Sequence, residues 1–276
     1  VKKEESIKYY KSGAEKGECN SLYNYGVLLL KGTDGVSMDK KKAARYLKSS
    51  AKKGNDKAMH QYAVMLDEGD GIPIDKKEAI QYYKMAIERG NTNAMYRYGL
   101  LLEKGDSIPV DKKEAIRLYK LGYENKNEYC SYKYAIYLLN GGEGAEMDKE
   151  EGLRIIKALA ENGLPMAMNK YALILFNDEN GDKSEAFRFF KLSADSGNKN
   201  CMYYYGYLLQ KGEEVATDKK ESFGYFQMSA EIGDVDGMRE CAKMLYFGDG
   251  IPINNPEACR YYKMAAENGF RIDFFG

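Results

Sequence analysis

Between Thr92 and Lys104 the apolar and small residues fall at Ala94, Met95, Tyr98, Gly99 and Leu102, with polar residues between them. That spacing predicts one amphipathic helix, here called A, and Gly105 ends it. The loop 106–110 carries Pro109, whose ring disfavours helix in the residue before it. Asp111, followed three residues later by Glu114, is a capping-box-like start in which the carboxylate accepts from first-turn amides. A second helix, B, then runs through Ala115, Ile116, Leu118, Tyr119 and Tyr123 to the region of Asn125.

This A–B unit recurs along the whole chain. The closing positions Gly17, Gly54, Gly90, Lys126, Gly163, Gly197, Gly233 and Gly269 step by 37, 36, 36, 37, 34, 36 and 36 residues, a period that marks a solenoid of one supersecondary unit per repeat. The A helices are expected at about 20–31, 56–68, 92–104, 128–140, 165–177, 199–211 and 235–247. B-helix caps are expected at Asp75, Asp148, Asp182, Asp218 and Asn254, each with Glu three residues on, and at Asp39 without it. A first B helix from about Lys3 has no A partner. Leu29, Leu66, Leu102, Leu138, Leu175, Leu209 and Leu245 repeat without exception, as a buried seam would. Gly26, Ala63, Gly99, Ala135, Ala172, Gly206 and Ala242 form a small column that permits close helix approach. The expected fold is all-α: antiparallel helix pairs stacked side by side as an α-solenoid, right-handed and superhelical in folds of this kind, with A helices on the concave face. It is read as a single elongated domain. A partial repeat, 1–17, precedes repeats at about 18–54, 55–90, 91–126, 127–163, 164–197, 198–233 and 234–269, and 270–276 is a partial repeat or cap.

Composition narrows the partners. Lys plus Arg and Asp plus Glu are 42 each, so no net field favours nucleic acid or an anionic membrane. Apolar runs such as 134–139 and 171–176 are too short to span a bilayer, and no signal-peptide pattern opens the chain. A soluble protein without membrane insertion is expected. The five cysteines, Cys19, Cys130, Cys201, Cys241 and Cys259, form no CxxC pair, which favours a reducing, cytoplasmic compartment. Cys130 and Cys201 stand in the small column of Ser21, Ala58, Ala94, Ala167 and Gly237 and read as packing residues.

The Ala-Met-Tyr-x-Tyr-Gly helix at 94–99, the Gly-Asp-Gly-Ile-Pro-x-Asp/Asn loops at 69–75 and 248–254, and the Lys-Glu-Ala then Tyr-Tyr-Lys-x-Ala helix at 77–86 resemble Sel-1-like repeats, relatives of the tetratricopeptide repeat. The resemblance covers nearly the whole chain. It departs at 177–181, where a loop is shortened, and at Cys241, which replaces a repeated Tyr. The resemblance implies a non-catalytic scaffold or adaptor displaying a concave surface to protein partners. Cysteine-rich relatives carry a disulfide in each repeat, but only the repeat of Cys241 and Cys259 holds two cysteines here, so that subgroup is not carried over.

Catalysis has little to work with, and no cofactor is expected. His60 is the only histidine, so neither a multi-histidine metal site nor HExxH is possible. It shares a column with Tyr23, Tyr96, Tyr132 and Tyr203 and reads as a groove residue. The Gly-Gly-x-Gly of 141–144 sits where the ordinary A-to-B turn falls. Asp67, Glu68 and Asp70 lack calcium-loop spacing, and Glu213 and Glu214 read as solvated acids. Tyr25, Tyr62, Tyr98, Tyr134, Tyr171 and Tyr205 share one core-facing register, which argues against a base-stacking platform.

Function is expected where repeats differ. The varying A positions of the model unit, Asn93, Tyr96, Leu100 and Glu103, form one stripe opposite the core face. Mid-array it turns apolar and aromatic: Tyr129, Tyr132, Ile136 and Leu139, then Met166, Leu173 and Phe176, then Tyr203 and Tyr207. Such clusters commonly mark partner sites, so repeats 127–233 are expected to bind a peptide or helix of another protein. The alternative is that neighbouring repeats bury much of the stripe. A second functional reading makes the array a regulatory or targeting arm of a larger multidomain enzyme, such as a signalling protein, because the chain opens inside a repeat and reads as a fragment or processed form. At the other end, 270–276 either caps the last B helix or is a truncation whose apolar face promotes self-association.

Overall fold

A computed structural model describes residues 2–33, 35–142, 146–212 and 216–269. Among them the chain is helical and strand-free. The A helices are α2 (Cys19–Lys31), α4 (Asp56–Glu68), α6 (Thr92–Lys104), α8 (Glu128–Asn140), α10 (Pro165–Asn177), α12 (Lys199–Lys211) and α14 (Val235–Phe247). The B helices are α1 (Lys2–Glu15), α3 (Lys40–Lys52), α5 (Lys76–Glu88), α7 (Lys112–Glu124), α9 (Lys149–Glu161), α11 (Lys183–Asp195), α13 (Lys219–Glu231) and α15 (Asn255–Glu267). The acids Glu213 and Glu214, the end of the Gly-Gly-x-Gly run and the segment 270–276 lie outside the described residues. The chain divides into two compact units, 1–152 and 153–276.

In the first unit α2, α4 and α6 each pack on the B helix that follows and on the one before, and α8 packs on α7. The seam leucines Leu29, Leu66, Leu102 and Leu138 are buried. The small column meets a bulky column of the following B helix: a Cβ built on Gly99 would lie 2.6 Å from Tyr119 Cε1, and one on Gly26 would lie 2.9 Å from Leu47 Cγ. The tyrosine register pairs edge-on with the B helices, Tyr25 against Tyr46 at 5.2 Å and Tyr62 against Tyr82 at 5.0 Å.

The second unit repeats this plan with Tyr171 against Phe189 at 5.1 Å and Tyr205 against Tyr225 at 4.7 Å. Its exception is the shortened loop after α10. No glycine closes that helix; Lys183 Nζ instead donates to the Phe176 and Asp178 carbonyls at 2.6 and 2.7 Å, the way a lysine satisfies terminal carbonyls. Leu175 is correspondingly only half-buried, the one break in the seam. Cys241, at the departing tyrosine position, is fully buried.

The caps depart from the expected pattern in an instructive way. Each B-helix carboxylate or amide, from Asp39 to Asn254, does accept a first-turn N–H. The N-cap backbone N–H does not turn to the Glu of a capping box; at Asp39, Asp75, Asp111, Asp148, Asp218 and Asn254 it donates to the seam leucine's carbonyl in the preceding A helix. That bond fixes the A-to-B angle and frees the glutamate for other partners. The A helices are also side-chain capped, by Asn55, Asn91, Asn127, Asn198 and Asp234. Three of these amides reach the previous A helix or its cap neighbourhood: Asn55 to Asn20, Asn91 to Asp56, and Asn127 to Thr92 and Asn93. The capping bonds thereby link repeat to repeat.

Candidate functional site

In the first unit the stripe residues Tyr96, Leu100, Tyr132, Ile136 and Leu139 are half-buried and Tyr129 is 43% exposed. Tyr96 lies between the Tyr119 and Tyr129 rings, at 6.4 and 5.4 Å. The stripe's polar member, Glu103, accepts from the Tyr119 hydroxyl at 3.0 Å, the Tyr137 hydroxyl at 2.6 Å and Lys133 Nζ at 2.8 Å. Burial alone would raise its carboxyl pKa, but the Lys133 and Tyr137 hydrogen bonds and the lysine charge outweigh this and hold it below the usual range. The Tyr119 hydroxyl, buried beside that carboxylate, is pushed far up. Glu103 therefore anchors the stripe to the core.

Toward the amino-terminal ends of α4 and α6 the face becomes polar. A cavity of about 490 Å³ is lined by Tyr23, Asp56, Lys57, His60, Gln61 and the 90–93 turn. Burial lowers the His60 pKa to about 4, so its ring is neutral near pH 7, and it packs 6.3 Å from the Tyr83 ring. The three turn acids are not gathered about one point: Glu68 pairs with Arg97, Asp70 with Lys40, and burial raises the Asp67 pKa.

In the second unit Met166, Leu173, Phe176 and Tyr203 are half-buried and Tyr207 is 37% exposed. Phe176 packs on Phe190 at 6.0 Å, and Tyr203 touches Tyr207 at 6.5 Å and Phe226 at 5.8 Å. The sequence reading missed Tyr204, which is 41% exposed and stacks on Phe190 at 6.0 Å. A signal was present: Tyr204 is the one aromatic in a column otherwise read Asn24, Gln61, Arg97, Lys133, Lys170 and Glu240.

Reactive chemistry is sparse on this face. No cluster of three or more His, Cys, Asp or Glu able to hold a metal occurs among the described residues. Burial raises the thiol pKa to about 12 at Cys130 and Cys241 and about 11 at Cys201, and all five cysteines are free. No described helix is long and apolar enough to cross a membrane.

The family profile described as Sel1 repeat matches residues 2–18, 20–55, 56–91, 92–127, 165–198, 199–234 and 235–270. Among solved structures, the chain is similar to a protective antigen of uropathogenic Escherichia coli with an SLR fold, at 25% identity and a TM-score of 0.72. That likeness covers 96% of this chain and 57% of that one, so this chain spans little more than half the antigen's length. A Sel1 repeat protein from Oxalobacter formigenes is 23% identical with a TM-score of 0.75, over 98% of this chain and 78% of that one. An immunity protein from Pseudomonas aeruginosa is 18% identical with a TM-score of 0.53, over 78% and 84% respectively. These last two likenesses show the fold alone. No curated protein matches the chain in sequence.

Proposed function

Because the chain belongs to the Sel1 repeat family, we propose that it is a non-catalytic scaffold or adaptor that holds a partner peptide or helix on the exposed stripe of its A helices. Sel1 repeat proteins are typically protein-interaction scaffolds. The observation that carries the finer reading is the contrast between two faces of the same helices. On the core face Ala94, Ala135, Ala172 and Cys201 are fully buried. On the opposite face the large apolar and aromatic residues Tyr96, Tyr129, Tyr132, Ile136, Leu173, Phe176, Tyr203 and Tyr207 all keep solvent contact. Leaving such surface in water is unfavourable by about 25 cal/mol per Å² of apolar area. Tyrosine suits a docking face because it joins large contact area to a polar tip at low entropy cost.

The reading as a non-catalyst is supported by the neutral, single histidine and by thiols that burial keeps protonated. A photo-crosslinking residue in place of Tyr129 or Tyr207, illuminated in the native cell, should capture a protein that the same residue at Lys263, exposed on α15 away from the stripe, does not. The captured partner should then bind Tyr129→Ala or Tyr207→Ala about tenfold or more weakly. Equal capture from Lys263 and from the stripe would remove the proposal.

A further inference from the structure

The B-helix lysines form a ladder that is interrupted at Lys120. Lys48, Lys84, Lys157 and Lys191 each hold Nζ over the ring of the next A helix's tyrosine, 5.3 to 5.7 Å from its centre. Three of them also bridge to the glutamate in the first turn of the next B helix: Lys48 to Glu78, Lys157 to Glu185 and Lys191 to Glu221. Lys120 occupies the same position opposite Tyr134 and Glu151, yet makes neither contact among the described residues. At this position both partners are met by Tyr123. Its column elsewhere holds Ala51, Ile87, Ala160, Ala194, Ala230 and Ala266. The Tyr123 ring packs on Tyr134 at 5.6 Å and its hydroxyl donates to Glu151 at 3.2 Å. It thus takes both of the lysine's usual partners.

Without that rung the cleft stays open. At Lys48 the equivalent space measures about 290 Å³. At Lys120 it measures about 790 Å³, within the range of small-ligand sites. Its floor is apolar: Ile116 and Leu138, both buried, and half-buried Tyr134. The α7 side carries Lys113 and Lys120, with Arg117 held by Glu114. The side formed by the start of α9 and the residues before it carries Glu146 and Glu150, with Lys149 next to Glu150. Asp148 is occupied as the helix cap. Among the described residues no ion pair crosses the cleft. Lysines from α7 and glutamates from the α9 side around one apolar floor match a ligand that is itself charged at both ends and apolar between them.

We propose that this cleft binds a short zwitterionic peptide, its carboxylate toward Lys113 and Lys120, its ammonium toward Glu146 and Glu150, and an apolar side chain on Ile116, Tyr134 and Leu138. The site is separate from the A-helix stripe and stands whether or not that face binds a partner.

The probe is the free tripeptide Ala-Leu-Ala, compared with its amino-acetylated, its carboxy-amidated and its doubly blocked forms, titrated into the full chain and followed by amide NMR shifts. The free peptide should shift amides at 116–120 and 146–150, and blocking either end should weaken binding by about threefold, the scale of an exposed ion pair. Tyr123→Ala should lose most of the binding by letting Lys120 close over Tyr134. Lys120→Gln, a surface change that leaves the fold intact, should weaken the preference for a free carboxylate while keeping the preference for a free amine. Absent shifts with the free peptide, equal affinity for free and blocked forms, dependence on one end only, or full binding by folded Tyr123→Ala would each overturn the proposal.

Discussion

The Tyr119 hydroxyl donates to the Glu103 carboxylate at 3.0 Å, whereas one repeat earlier the equivalent Tyr83 hydroxyl is buried without a hydrogen-bond partner. The carboxylate in the Glu103 column there is Asp67, one methylene shorter. A buried hydroxyl left unpaired costs about 1–3 kcal/mol. Asp67→Glu should therefore stabilise the protein by about 1 kcal/mol, and Glu103→Asp should destabilise it by at least as much, because Tyr137 loses its acceptor too. Denaturant midpoints for the two variants test this, and unchanged stability in Asp67→Glu would refute it.

The same carboxylate makes an acid-sensitive contact. The folded-state pKa of Glu103 is lowered, so its stabilisation is present above the unfolded value near 4.5 and is lost as pH falls through the folded value. His60 acts in the same direction at higher pH. Its folded pKa of about 4 lies below its ordinary 6.5, so the unfolded chain takes up the proton first. Stability is full above pH 6.5 and declines between 6.5 and about 4, by no more than about 3 kcal/mol given partial exposure. His60→Tyr, which restores the column's usual residue, should flatten the stability profile in that interval and leave the lower Glu103 step in place. Urea titrations across pH read both.

Much of this architecture was legible from the sequence because the repeat is its own control. The A helices at 92–104 and 128–140 have the expected bounds, since their glycine and cap residues are local signals that each copy restates. The B-cap hydrogen bonds were legible for the same reason. The link from each N-cap N–H to the seam leucine's carbonyl was not, because it depends on the angle between two helices, which no single-helix pattern encodes. Exposure along the stripe was likewise beyond the pattern: Tyr96 and Tyr129 lie on the same stripe but differ in how deeply neighbouring rings cover them. Tyr123 could have been noticed as a lone tyrosine in an alanine column. That it would displace Lys120 follows only from the two distances to Tyr134 and Glu151.

Lys126 and Ser107 are the two non-glycine residues with positive φ among the described residues, at 61° and 64°. Lys126 closes its repeat where Gly90 and Gly163 close theirs, and Ser107 stands in the column of Gly71 and Gly250. A side chain in the left-handed region costs about 1 kcal/mol. Lys126→Gly and Ser107→Gly should each raise stability by up to that amount, with part returned to the unfolded chain's entropy. The reciprocal Gly90→Lys should lower it; a Cβ at Gly90 meets nothing within 4 Å, so only the backbone strain is measured. If Lys126→Gly melts no higher than the parent, the strain is absent.

Gly99 and Gly206 stand in one column, yet adding a methyl should have opposite effects at the two sites. Alanine is favoured over glycine inside a helix by about 1 kcal/mol, and overpacking a core costs about 1–3 kcal/mol. At Gly206 the nearest atoms to a new Cβ are Phe226 ring carbons at 3.1 Å and the Ser222 carbonyl oxygen at 3.2 Å, contacts that a shift of a few tenths of an ångström between the helices would relieve. Gly206→Ala should be neutral or slightly stabilising. At Gly99 the new Cβ would sit 2.6 Å from Tyr119 Cε1. That ring cannot swing aside freely, because its hydroxyl is held by Glu103 and its far face stacks on Tyr137 at 6.3 Å. Gly99→Ala should therefore destabilise by about 1–2 kcal/mol net. The explanation is specific enough to be tested by a double-mutant cycle. In a Glu103→Ala background Tyr119 loses its tether, and the penalty of Gly99→Ala should shrink. An undiminished penalty there would mean that the ring is fixed by packing alone and that the Glu103 carboxylate does not set the spacing of helices α6 and α7.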